Sequence, residues 1–139
     1  VANPVDEELV ARALAMRARA YAPYSRFTVG ASLRCADGTV VDGCNVENAS
    51  YGLCICGERT AIAAAVAQGH QRFTQIAVAT GASPPASPCG MCRQVLAEFA
   101  VDADIDVVLV NDAGERVVTS VRALLPLSFH HAQLTSGQS

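Results

Sequence analysis

Four of the six cysteines fall into two close pairs, Cys54-x-Cys56 and Cys89-x-x-Cys92, while Cys35 and Cys44 stand apart. Thiolates bind soft and borderline metals. The C-x-x-C spacing lets two sulfurs reach one ion across the first turn of a helix. A third thiolate from Cys56 would leave one tetrahedral position open, as a catalytic zinc site requires. Helix N-termini also lower thiol pKa values, which favours the form that binds metal. Glu58 follows Cys56 by two residues, on a different side of the same turn. It can face the open position without ligating, where a carboxylate can act as general base and then general acid. Other readings of the same residues are three buried thiols, or a structural four-sulfur zinc with Cys54 as fourth ligand. Glu58 could also be a first-turn carboxylate that complements a helix dipole.

Composition narrows the chemistry. The chain has 139 residues, 51% apolar and 17% charged, with no Lys and no Trp. That length suits a single domain over 1–139, and the apolar content excludes a disordered chain. Without Lys there is no Schiff-base or Walker-A lysine. A net charge of −3 is a poor footprint for a phosphate backbone, so no nucleic-acid partner is expected. The longest apolar run, AIAAAVA (61–67), is too short to span a bilayer, so no membrane partner is expected. The start, VANPVDEEL, lacks the pattern of a signal peptide, which reads as cytoplasmic and argues against a disulfide framework.

The elements that must position these residues follow from capping and periodicity. Asn3 as cap and Pro4 as first helical residue predict a helix ending near Tyr21. Two strands are expected at Phe27–Arg34 and Thr39–Val46, joined by a turn carrying Asp37-Gly38. Gly57–Gln68 reads as a buried helix, Phe73–Thr80 as a strand and Met91–Phe99 as an amphipathic helix. Ile105–Val110 and Arg116–Thr119 read as strands. Ser120 caps a final short helix, and TSGQS (135–139) reads as a polar tail. The alternation predicts an α/β protein with a right-handed βαβ crossover, whose ligands collect where strands end and helices begin. Both cysteine pairs lie at such junctions. Phe27 alternates with Val29 and Ala31 as an ordinary core residue would. Asn45 and Glu47 share one strand face, unusual in a core and suited to a hydroxylated ligand. Cys35, Cys44 and Cys54 read as packed small hydrophobes, and His70, His130 and His131 as surface residues without a role.

The Cys56-x-Glu58…Pro88-Cys89-x-x-Cys92 pattern resembles the signature of zinc-dependent deaminases. Around it, PYSRFTVGASL (23–33), GCNVENASYGLCICGERTAI (43–62), SPCGMCRQVLAEF (87–99) and LLPLSF (124–129) cover much of the chain. Together they are similar to the cytidine deaminase family, in its small homotetrameric branch with three Cys ligands. The resemblance implies a three-layer α/β/α sandwich around a mixed five-stranded sheet. It implies one Zn²⁺ per subunit held by Cys56, Cys89 and Cys92, with Glu58 carrying protons to ring nitrogen 3 and to the leaving amine. It places Phe27 against the base, Asn45 and Glu47 on the ribose 3′-hydroxyl, and Arg59 on the ligand sulfurs. Gly57, where the family more often has Ala, would let backbone approach the substrate. Tyr51 and Phe129 would close the pocket of a neighbouring subunit in a homotetramer. The implied activity is deamination of cytidine and deoxycytidine to uridine and deoxyuridine in pyrimidine salvage. A blasticidin-S-type antibiotic nucleoside deaminase and a structural zinc-binding interaction module are the alternatives.

Overall fold

The computed structural model describes residues 3–137. In chain order it contains α1 (Glu7–Met16), β1 (Gly30–Cys35), β2 (Val40–Cys44), α2 (Gly57–Ala67) and β3 (Phe73–Thr80). These are followed by α3 (Gly90–Glu98), β4 (Asp106–Asn111), β5 (Arg116–Ser120), α4 (Val121–Leu124) and α5 (His131–Ser136). Single 3-10 turns lie at Arg17–Arg19 and Tyr51–Leu53. The strands form one mixed sheet in the order β2-β1-β3-β4-β5, with β3 and β4 parallel and the other pairs antiparallel.

The period-2 alternation of the central strands builds the two faces. Ile76 and Val78 of β3 and Val107 and Leu109 of β4 join Leu33, Ala61, Ile62, Ala65 and Leu96 in a core under α2 and α3. Ala77, Ala79, Val108 and Val110 point the other way and pack on Leu9, Val10 and Ala13 of α1. The three expected layers are therefore present. Gly43 allows α2 to approach β2 closely: a Cβ there would lie 2.4 Å from the Ala61 nitrogen and 2.6 Å from the Gly57 carbonyl oxygen. That approach sets the N-terminus of α2, and with it Cys56 and Glu58, against the end of β2.

Several boundaries differ from the sequence reading. The cap of α1 is Asp6, whose side chain accepts from the Leu9 nitrogen at 3.4 Å, while Asn3 donates to Asp106 at 3.0 Å. Gln75 of β3 accounts for the shift, because its amide oxygen accepts from the Asp6 nitrogen and its amide nitrogen donates to the Pro4 carbonyl. A tertiary contact thus fixes where the helix starts. β1 begins at Gly30 rather than Phe27, and β2 ends at Cys44, so Asn45 and Glu47 lie just beyond the ladder. Bridges from Val46 to Tyr21 and to Ile55 keep that segment extended. The polar tail is helical through Ser136, as the end of α5; Gln138 and Ser139 lie outside the described residues. Cys35 is buried as expected, but Cys44 and Cys54 are only half-buried. No helix among the described residues is long and apolar enough to cross a membrane.

Candidate metal centre and active-site cleft

Cys56 is the N-cap of α2, and Cys89 is the N-cap of α3, with Cys92 in the first turn of α3. Neither N-cap cysteine bonds a helix amide through its side chain, so both sulfurs are free for another partner. The two positive helix ends converge on one point. The Cys56 and Cys89 sulfurs are 3.7 Å apart, and Cys89 and Cys92 are 3.3 Å apart. Tetrahedral zinc with Zn–S of about 2.3 Å sets its sulfurs about 3.8 Å apart. The three thiols fit such an ion in number, softness and spacing, and form a cluster able to hold a metal. Cys54 is not in the cluster; its sulfur instead accepts from the Asn48 nitrogen at 3.3 Å. The described residues thus offer three sulfurs rather than four.

The ionisation of these thiols is linked. Cys56 is held below the ordinary thiol range, first by hydrogen bonding from Cys92, then by Arg59 and Cys89. Cys92 is pushed up because it donates to Cys56 and is buried. The Cys56 thiolate is thus favoured beside the Arg59 guanidinium. The Arg59 guanidinium reaches the Cys56 sulfur at 3.8 Å and the Cys54 carbonyl at 3.2 Å. It thus lies against one sulfur of the cluster. Glu58 is 4% exposed, and burial raises its carboxyl above the usual range, with the Cys56 charge adding to the effect. A carboxyl so placed holds a proton more readily than a solvated one.

A cleft of about 240 Å³ opens beside the sulfurs, lined by Phe27, Val29, Asn45, Glu47, Cys56, Glu58 and Cys89 among others. Phe27 is 44% exposed and faces this cleft instead of the core. The Asn45 side chain is buried; its oxygen accepts from the Val29 nitrogen at 2.8 Å and its nitrogen donates to the Phe27 carbonyl at 2.8 Å. Glu47 accepts from the Tyr24 and Ser25 nitrogens and pairs with the Ser25 hydroxyl, which lowers its pKa. Both residues thus also hold the loop that carries Phe27. Gly57 does not line the cleft; a Cβ there would lie 3.2 Å from Val29 Cγ1 and 3.3 Å from the Val29 carbonyl oxygen, so an Ala would need a small shift of both.

Tyr51 and Phe129 do not reach the cleft of their own chain. Tyr51 is 74% exposed and meets Tyr24 edge-on, 6.1 Å between centroids. Phe129 is half exposed, and its carbonyl accepts from Gln94. Cleft residues that the sequence reading passed over include Ser25, Ile55, Thr80 and Ser87. Ser87 carries the clearest local sign, since it sits beside Pro88-Cys89. It accepts from Arg93, whose guanidinium also donates to the Pro88 and Leu124 carbonyls.

A mixed sheet, three converging sulfurs at two helix N-termini and a buried carboxyl beside them define an α/β protein with a metal-binding catalytic type of centre. The model of the cytidine and deoxycytidylate deaminase zinc-binding region matches residues 4–119, and the chain belongs to that family. A cytidine deaminase of Sporosarcina psychrophila is 44% identical over 93% of this chain and 94% of its own. The crystal structure of a cytidine deaminase from Burkholderia pseudomallei superposes with a TM-score of 0.86 at 49% identity, covering 91% of this chain and all of its own. A blasticidin-S deaminase of Bacillus cereus is more distant, 32% identical over 73% of this chain and 76% of its own.

Proposed function

We propose that this chain is a cytidine deaminase that converts cytidine and deoxycytidine to uridine and deoxyuridine with release of ammonia, in pyrimidine salvage. The observation that carries the reading is the buried Glu58 carboxyl set beside three thiols in a cleft that also holds Phe27, Asn45 and Glu47. Cys56, Cys89 and Cys92 are the zinc ligands. Zinc held there would supply the Lewis acidity that makes a water nucleophilic near neutral pH. Glu58 would take a proton from the attacking water and deliver it to pyrimidine nitrogen 3 as the hydroxyl adds to carbon 4; it would then carry that hydroxyl's proton to the amine, which leaves as ammonia while the carbon 4 carbonyl forms. Its burial suits the task, because a raised pKa lets one group both accept and return a proton. Arg59 offsets the negative charge of three thiolates on one dication.

Phe27 stacks on the base. Asn45 keeps one amide hydrogen, and Glu47 spare lone pairs, for the ribose 3′-hydroxyl. The chain works as a cytoplasmic homotetramer whose partner is a free nucleoside, with neither nucleic acid nor membrane. The exposed apolar side chains Leu53, Ile55, Val66, Met91, Leu127 and Phe129 support association. Tyr51 and Phe129, outside their own cleft, are then available to a neighbour's. The similarity to cytidine deaminases along nearly the whole chain favours this substrate over blasticidin S. Cys54 lying outside the sulfur cluster disfavours a closed structural zinc module. The deciding experiment is incubation with cytidine, deoxycytidine and blasticidin S, following ammonia, with zinc and molar mass measured on the same sample. Ammonia from the first two, one zinc per chain and a tetramer mass are expected. Blasticidin S as the best substrate, or no ammonia from a zinc-loaded sample, overturns the assignment.

A further inference from the structure

At the opposite end of the sheet, a second set of metal-ligating side chains comes together. Cys35 ends β1, Asp37 lies in the turn to β2, and His70 follows the C-terminus of α2. The Cys35 sulfur, an Asp37 oxygen and a His70 nitrogen all lie within 4.8 Å of one another. His70 Nδ1 is 3.7 Å from Asp37 Oδ2.

We infer that Cys35, Asp37 and His70 form a second divalent-metal site, suited to Zn²⁺ or Co²⁺, separate from the cleft. The donor set is one thiol, one imidazole and one carboxylate, a mixture that borderline metals accept and that Mg²⁺ and Ca²⁺ do not. Ligand atoms on tetrahedral zinc lie about 3.3–3.8 Å apart, so only a small contraction closes the cluster. The two turns that carry it are already tied, with the Ala36 nitrogen donating to the Arg72 carbonyl at 2.9 Å. Cys35 is 1% exposed, and the Asp37 and His70 side chains are 60% and 20% exposed, so the cluster is closed toward the core and open toward solvent. Water can fill the fourth position. The negative end of α2 terminates at this cluster, which favours a cation there. The nearest arginine of β1, Arg34, is committed to Asp6, Glu8 and the Gly38 carbonyl and does not compete for Asp37. Binding converts the Cys35 thiol to a thiolate and releases its proton to solvent. The bound ion would join the β1–β2 turn to the end of α2.

The test is a Co²⁺ titration of the zinc-loaded enzyme under argon. Retained zinc is measured after desalting, and the near-ultraviolet thiolate-to-cobalt band is followed. One further saturable equivalent per chain, with the band and without loss of zinc, is expected. His70→Ala, a partly exposed change that leaves the core intact, should weaken that binding at least tenfold without altering deamination. Cys35→Ser should remove the band. Cobalt that only displaces zinc, no further saturable equivalent, or undiminished binding in folded His70→Ala overturns the inference.

Discussion

β1 runs between two clusters of the same kind of donor, and the two ends of the strand differ in what surrounds them. At its Gly30 end, two helices begin, three sulfurs converge, and a carboxyl is buried among them. At its Cys35 end, one helix terminates, and a single buried sulfur meets an exposed carboxylate and a half-buried imidazole. Helix N-termini stabilise anions, so the first end favours a thiolate at Cys56 in advance of a metal. A helix C-terminus does not, so at the second end a cation must itself displace the proton. The expected hierarchy is a tight site carrying chemistry at one end and a weaker, structural one at the other.

Cys56→Ala removes the sulfur beside Arg59 and one of three proposed ligands. It should abolish both zinc retention and deamination, whereas Cys54→Ala, two residues away, should keep the metal and most activity. Metal analysis of the two purified variants decides it; a zinc-free Cys54→Ala would reassign the ligands. Glu58→Gln comes next. The side chain keeps its size but can no longer carry protons, so zinc and fold should persist while kcat falls by at least about 10²–10⁴-fold. Near-wild-type turnover in a zinc-loaded variant would remove Glu58 from the reaction.

The same contrast extends to the glycines that shape the two ends. Gly43→Ala at the cleft end drives a Cβ into the backbone of α2 at Gly57 and Ala61 as well as onto the Thr60 hydroxyl, and the backbone cannot swing aside. Overpacking of this kind typically costs about 1–3 kcal/mol. Because α2 carries Cys56 and Glu58, activity should fall along with stability. Gly38→Ala at the far turn meets no neighbour and pays only for its positive φ of 96°. The cost there is about 1–2 kcal/mol, and kcat should not change. Denaturation midpoints and kcat on both variants test this, and a folded Gly43→Ala with unchanged stability would refute the tight approach.

What was readable in the sequence follows from how local each feature is. The sulfur cluster was legible because each cysteine announces itself beside a helix start, and C-x-x-C spans a single turn. The strands of the sheet were legible from uniform apolar runs such as QIAVA. α5 was not, because HAQLTS has no apolar periodicity and its start is fixed by Gln133 folding back to accept from the His130 nitrogen. The start of α1 moved to Asp6 because Gln75, 69 residues away, competes for its first turn. Phe27 looked like core because alternation continues past Gly30, but Asn45 takes the backbone groups of Phe27 and Val29 and ends the ladder there. Cys35 and His70 looked inert because nothing local joins residues 35 apart; the β1–β2 turn and the length of α2 bring them together.

The smallest expected effect isolates the charge at the far end. The carboxyl of Asp37 is held below its ordinary value, chiefly because it accepts from the Thr39 nitrogen at 2.9 Å. A carboxylate with a depressed folded pKa adds stability above its unfolded pKa, about 3.8 here, and loses it as pH falls through the folded value. Asp37→Asn keeps an oxygen that can accept the same bond in the turn but removes the charge. Without added zinc, the wild type should melt only slightly higher than Asp37→Asn at pH 7, and the two should converge as pH falls below about 3.8. Metal lost from the cysteine cluster in acid is common to both and cancels in the difference. Added zinc at pH 7 should widen the gap, since only the carboxylate is a good ligand. A gap that neither closes in acid nor opens with zinc would show that Asp37 acts through its turn alone, and the far end of β1 would then hold donors without a site.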